Sequence, residues 1–183
     1  MGTYHHKGMS FEVPEGWVDR TVLAFAAPPG SAPAEYLPNV VMTREALAPG
    51  DTLRTHADRT LLDMAKQLKD FDILESRETM LDGRRAICVR FSWMSNAGDL
   101  EQDMTMCESP AEPGETERYA TIVTATAHKK VVDEMRPLFN QVLSSIRFPG
   151  GRAPPPFGAG PPPAPAPPDP IGTDAPIFGL RRR

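Results

Sequence analysis

Apolar residues recur along this chain with two different periods. In 51–70, DTLRTHADRTLLDMAKQLKD, the positions Leu53, Ala57, Leu61, Met64 and Leu68 advance by 4, 4, 3 and 4 residues, with charges between them. That spacing holds a single stripe on one side of a helix. Asp51, after Gly50, is placed to cap its N-terminus. In 128–146, HKKVVDEMRPLFNQVLSSI, the positions Val131, Met135, Leu138, Val142 and Ile146 advance by 4, 3, 4 and 4. Pro137 interrupts this second pattern and either starts a helix or kinks one, because it lacks a donor and crowds the preceding turn.

The remainder alternates at the period of two. It predicts strands near 2–6, 9–13, 21–26, 39–45, 71–79, 85–94, 101–108 and 118–126. Asp82-Gly83 and the NAGD of 96–99 read as hairpin turns. Pro110, Pro113 and Gly114 mark a longer loop. Adjacent hairpins make an antiparallel sheet, and the two helices need that sheet to bury their stripes. The expected fold class is α+β, an antiparallel β-sheet with helices packed on it, one helix after the fourth strand and one at the domain's end.

The alternation also predicts faces. In AICVRFSW, the large set Ile87, Val89, Phe91 and Trp93 is expected to form the core under both helices. Ala86, Cys88, Arg90 and Ser92 fall on the other face. Leu23 and Phe25 match the large set, as do Val40 and Met42. That leaves Val22, Ala24, Ala26, Val41 and Thr43 on a second face that is small and mildly apolar, a candidate groove. Phe11 and Val13 are expected in the core, with Pro14–Trp17 as the corner of the first hairpins.

Composition divides the chain. The segment 149–183 holds 12 of its 21 prolines, which cannot supply ladder donors or a packed core. Two units are therefore expected, a domain over 1–149 and a Pro-rich disordered tail over 150–183. The chain's net charge is −4, and removing the tail's +2 leaves the body at −6. Such a balance gives no electrostatic footprint for nucleic acid.

Candidate chemistry is sparse. Cys88 and Cys107 are two isolated cysteines in predicted strands, expected as small buried hydrophobes rather than a disulfide framework or zinc site. His5 and His6 are neighbours on a strand and point to opposite faces, so they do not share a metal. His56 and His128 sit in charged helical surroundings and are expected to be solvated. Glu101 and Asp103 lie two apart on one strand face, but no other catalytic group accompanies them. No nucleophile elbow, zincin, phosphate-loop or dinucleotide motif occurs. No enzyme activity, metal or cofactor is expected. Met94, Met104 and Met106 suit adaptable packing. The N-terminus shows no apolar region of a signal peptide, and His6 stands where a myristoylation signal needs Ser or Thr. The expected location is the cytoplasm, and a periplasmic lipoprotein is disfavoured.

The order of several motifs carries more. Residues 4–22 follow Y-x6-F-x-V-P-x-G-W-x-D-x-T-V, then come VVMTRE (40–45), AKQLKDFDILE (65–75), DGRRAICVRFSW (82–93) and SSIRFP (144–149). Together they resemble DcrB-related domains, and in particular the Eag-type effector-associated chaperones of type VI secretion. The resemblance spans about residues 3–149 and implies a Mog1/PsbP-like α/β sandwich. It also implies a cytoplasmic, dimeric chaperone that binds N-terminal transmembrane segments of an Rhs or PAAR-type effector and aids its loading for export. By position, the family's groove falls on Val22, Ala24 and Val41, and Ala24 is smaller than the branched residue common there. Ala26, Thr43 and Arg90 complete the expected client-binding set, with Thr43 and Arg90 offering polar atoms at its margin. The alternative is a non-enzymatic Mog1/PsbP-like adaptor that binds a folded partner through its surface or its Pro-rich tail, which the compact family pattern lacks.

Overall fold

A computed structural model describes residues 2–6, 9–13, 22–30, 36–110 and 117–149. The expected core residues Phe11 and Val13, the Pro14–Trp17 corner and the Pro-rich tail lie outside the described side chains and segments. The element order is β1 (Gly2–His6), β2 (Met9–Val13), β3 (Leu23–Ala26), β4 (Asn39–Ala46), α1 (Leu53–Gln67), β5 (Lys69–Leu81), β6 (Arg84–Ser95), β7 (Gly98–Glu108), β8 (Tyr119–His128) and α2 (Val132–Ser145). β1 and β2 pair in a two-stranded sheet. The other six strands form one antiparallel sheet in the order β3-β4-β8-β7-β6-β5. The α+β class is as the sequence predicts.

Local chemistry sets the joints. Asp82 and Gly83 both have positive φ, 48° and 76°, which a two-residue turn matched to strand twist requires. α1 is capped by Thr52 rather than Asp51. The Thr55 N–H donates to Thr52 Oγ1 at 3.1 Å, and the Thr52 N–H donates to Thr55 Oγ1 at 2.9 Å. Asp51 instead pairs with Arg59 one turn and more along the helix. Pro137 neither starts nor ends α2, which runs through it. Its inner side is Val132 and Phe139, with Met135, Val142, Leu143 and Ile146 partly buried, so Leu138 of the expected stripe is exposed.

Residues directly opposed in an antiparallel ladder point to the same face. One row across the sheet is Ala24, Val41, Thr124, Met104 and Val89. A second, on the opposite face, is Phe25, Val40, Ala125, Asp103 and Arg90. α1 packs on the first face, over Ile87, Val89, Phe91, Met104, Met106 and Ile122. α2 packs on the second, over Val40, Leu81, Ala86, Cys107, Val123 and Ala125. The expectation of both helices on one face is thus corrected to a sandwich with a helix on each side. β6 shows why: Ala86, Ile87, Cys88 and Val89 are buried in succession. Its large residues lie under α1 and its small ones under α2, so size alternation there separated two cores rather than core from solvent.

The same register corrects the edge. Leu23 and Phe25 share the α2 face with Val40 and Met42, and neither is core: Phe25 is 58% exposed. His56 and His128 are buried rather than solvated, and His128 closes β8 instead of lying on a helix. The end of the described body is moored to the first long hairpin. The Phe148 N–H donates to Asp82 Oδ2 at 2.7 Å, and the Arg84 guanidinium stands 5.5 Å from the Phe148 ring centre.

Candidate functional site

β3 and β4 carry most of the expected site. Ala24 and Val41 are opposed and Ala26 faces Asn39, so Ala24, Ala26 and Val41 share the α1 face. Thr43 joins them there, opposite Ile122. α1 covers the β5–β7 half and the Ile122 end of β8, so these positions form a strip beside the helix. Ala24 and Ala26 are exposed, Val41 and Thr43 half-buried, and Val22, just before β3, is 57% exposed. Four small residues at a sheet surface let another backbone approach closely.

Arg90 does not belong to this strip. It lies on the α2 face, where Nε donates to Asp103 Oδ1 at 2.9 Å and Nη1 is 3.2 Å from Glu75 Oε2. Arg136 of α2 reaches the same carboxylates, 2.8 Å from Glu101 Oε1 and 3.4 Å from Asp103 Oδ2, and also holds Asp133 at 3.0 Å. Burial pulls the Arg136 pKa down, but its bonds to Glu101 and Asp133 outweigh that and hold it above the ordinary arginine range. Glu101 and Asp103 do share a strand face, as the sequence suggests, but they serve as the acidic half of this clamp between β6, β7 and α2. A cleft of about 290 Å³ beside it is lined by Arg77, Cys88, Arg90, Asp103, Thr105 and Arg136 among others, and Arg90 and Arg136 there are engaged by the carboxylates of the clamp.

The register adds residues that periodicity alone did not single out. Asn39, Thr124, Thr126 and Gln102 lie on the α1 face next to the strip. Thr124 Oγ1 donates to the Val41 carbonyl at 3.3 Å, and Thr126 Oγ1 to Gln102 Oε1 at 3.1 Å. Asn39 Nδ2 donates to the Tyr36 hydroxyl at 2.8 Å. The alternating threonines of TIVTATAH were the available signal, but only strand pairing says which face they take.

Burial pushes the Cys107 thiol up to about 11, which keeps it protonated and inert at neutral pH. Among the described residues, no three of His, Cys, Asp and Glu gather as metal ligands, and no helix is long and apolar enough to cross a membrane.

Comparison with known proteins agrees with this architecture. Among solved structures, PA94 of Pseudomonas aeruginosa, a protein of unknown function, superposes with a TM-score of 0.64 at 21% identity, over 80% of this chain and 96% of its own. LpqN of Mycobacterium tuberculosis, involved in cell envelope biogenesis, does so with a TM-score of 0.52 at 13% identity, over 79% and 87%. The cyanobacterial PsbP (CyanoP) of Synechocystis is also found, at a TM-score of 0.44 and 13% identity, over 80% and 91%. No curated protein matches the sequence. The sequence does match the DcrB family over residues 9–145, three quarters of its length, and the chain belongs to that family.

Proposed function

We propose that this protein is a chaperone that shields an apolar helix of a client protein against the sheet strip beside α1. The observation that carries the reading is the joint placement of Ala24, Ala26, Val41 and Thr43 on one accessible face, as an uncharged strip that ends at Glu45. A transmembrane helix of about 20 apolar residues needs such cover before it meets its membrane. Apolar burial supplies on the order of 25 cal/mol per Å², before the entropy costs of association. Small side chains bring the helix close enough to add dispersion contacts, and Thr43 at the margin offers a hydroxyl to a polar atom of the helix. The Eag-like sequence motifs support a type VI secretion effector of the Rhs or PAAR kind as the client, with a cytoplasmic homodimer as the working form. Arg90 faces α2 and stands apart from this binding set.

The test is co-expression with a reporter bearing an N-terminal apolar helix of about 20 residues. Wild-type protein keeps the reporter soluble and co-purifies with it, whereas Val41→Asp folds normally and loses it. Retention by Val41→Asp refutes the assigned face.

The Pro-rich segment favours a second reading, an adaptor that presents a polyproline ligand to a folded partner. Removing 150–183 separates the two: the chaperone keeps the helix reporter, and the adaptor loses its partner.

A further inference from the structure

The two edges of the six-stranded sheet are built in opposite ways. β5 is a long edge carrying Lys69, Asp70, Asp72, Glu75, Arg77 and Glu78, with pairing irregularities between Lys69 and Asp72 and between Ile73 and Glu75. Charges and bulges of this kind block pairing with a further strand. β3 has neither device. From residue 22 to residue 30 the chain carries no charge, its ladder with β4 is regular, and among the described residues it pairs with β4 alone.

The direction of its free backbone groups follows from a single bond. The Ala27 N–H donates to the Pro38 carbonyl at 2.7 Å, in register with the β3–β4 ladder. In an antiparallel ladder the backbone groups alternate sides, so Leu23, Phe25 and Ala27 turn theirs toward β4. Ala24 and Ala26 therefore turn N–H and C=O outward, at an edge where no further strand pairs among the described residues.

We propose that this outer edge of β3 is a strand-docking site that takes an extended, uncharged segment of the client polypeptide. Naming the client as donor rests on the proposed function; the strand pairing does not. Charge selects the occupant. A charged strand laid between the exposed apolar side chains of Val22, Leu23 and Phe25 would lose water and find no partner. An uncharged strand satisfies both outward backbone pairs and covers those side chains. A second copy of this chain is the weaker occupant, because β3 offers 4 residues to an interface that ordinarily needs about 20–30 a side. The added strand also widens the floor on which Ala24 and Ala26 lie, placing a client's extended segment next to its own helix.

The experiment uses the full chain and the capped peptide TVTVTV as probe, with amide hydrogen exchange read by NMR. At saturating peptide the Ala24 and Ala26 amides are expected to exchange at least tenfold more slowly, and the charged peptide TETVTE is expected to have no effect. Ala24→Pro removes one outward donor without touching the β3–β4 ladder, so it should keep the fold and lose the protection. Ala26→Pro is the second variant, should the first misfold. Unchanged exchange in the wild type overturns the proposal, as does protection that survives in both proline variants or equal protection by both peptides. A dimer in sedimentation that Ala24→Pro disperses would assign the edge to a second copy and also overturn it. Val41→Asp separates this result from the helix-shielding reading, since it should lose the helix reporter yet keep the peptide protection.

Discussion

Arg136 holds Glu101 at 2.8 Å from α2 to the middle of the sheet, and Glu101 is buried. This bond and its neighbours fix the helix over β7. Removing the cation leaves the buried Glu101 carboxylate with only the longer Arg90 contact, at 3.6 Å. Arg136→Leu should destabilise the fold by about 2–3 kcal/mol, below the ~3–5 kcal/mol of a fully buried pair because Arg136 keeps some solvent. Urea melts of the single variants and of Arg136→Leu with Glu101→Leu should show the double change recovering much of the loss.

Phe91 is fully buried under α1 and packs at a tilt between Phe71 and Trp93, with ring centres 5.1 and 5.7 Å away. Phe91→Ala should cost about 3–5 kcal/mol by lost transfer energy and an unfilled cavity. The change should shift the denaturation midpoint without altering the slope of the transition.

Gly98 sits at a φ of +99°, and a Cβ there would meet His128 Nε2 at 2.9 Å. His128 cannot easily withdraw, since its Nδ1 accepts the Lys130 N–H at 3.1 Å. Gly98→Ala should therefore destabilise by about 1–3 kcal/mol. Pairing it with His128→Ala should remove the steric part and leave the backbone part, a difference that a thermal-melt cycle reads directly.

Arg118 donates to both oxygens of Glu108, at 2.6 and 2.8 Å, and these bonds hold the Glu108 carboxyl below its ordinary value of 4.5 despite partial burial. A depressed carboxylate stabilises the fold above its unfolded value and loses that contribution as pH falls through the folded one. Stability should thus decline below about pH 4.5, and Arg118→Gln should make that decline shallower. Both side chains are substantially solvated, so the effect should be small and should shrink further in salt.

The helices, the positions of the strands along the chain and the Asp82-Gly83 turn were legible because each rests on local chemistry: a 3.6-residue stripe, an alternation, a pair of residues that tolerate positive φ. Facing was not. Val40 and Met42 resemble Val89 and Phe91 in size, yet they lie on opposite sides of the sheet, because both sides are cores. An isolated strand pattern tells which residues are large, and only the register of Ala24 on Val41, Thr124 and Met104 tells where they go. The same limit explains Arg90, whose apparent solvent face is the floor under α2. Thr52 took the cap from Asp51 because its hydroxyl and that of Thr55 satisfy each other's backbone donors reciprocally, leaving the aspartate for Arg59.

The mooring of Phe148 by Asp82 has a mechanical consequence. Tension applied through the C-terminal segment meets the bond from Phe148 to the Asp82 turn before it reaches α2, so this bond is the first to be loaded. The β3 edge lies five strand spacings away, about 24 Å across the sheet. The first contact to meet a pull on that end thus lies at the opposite edge of the sheet from β3.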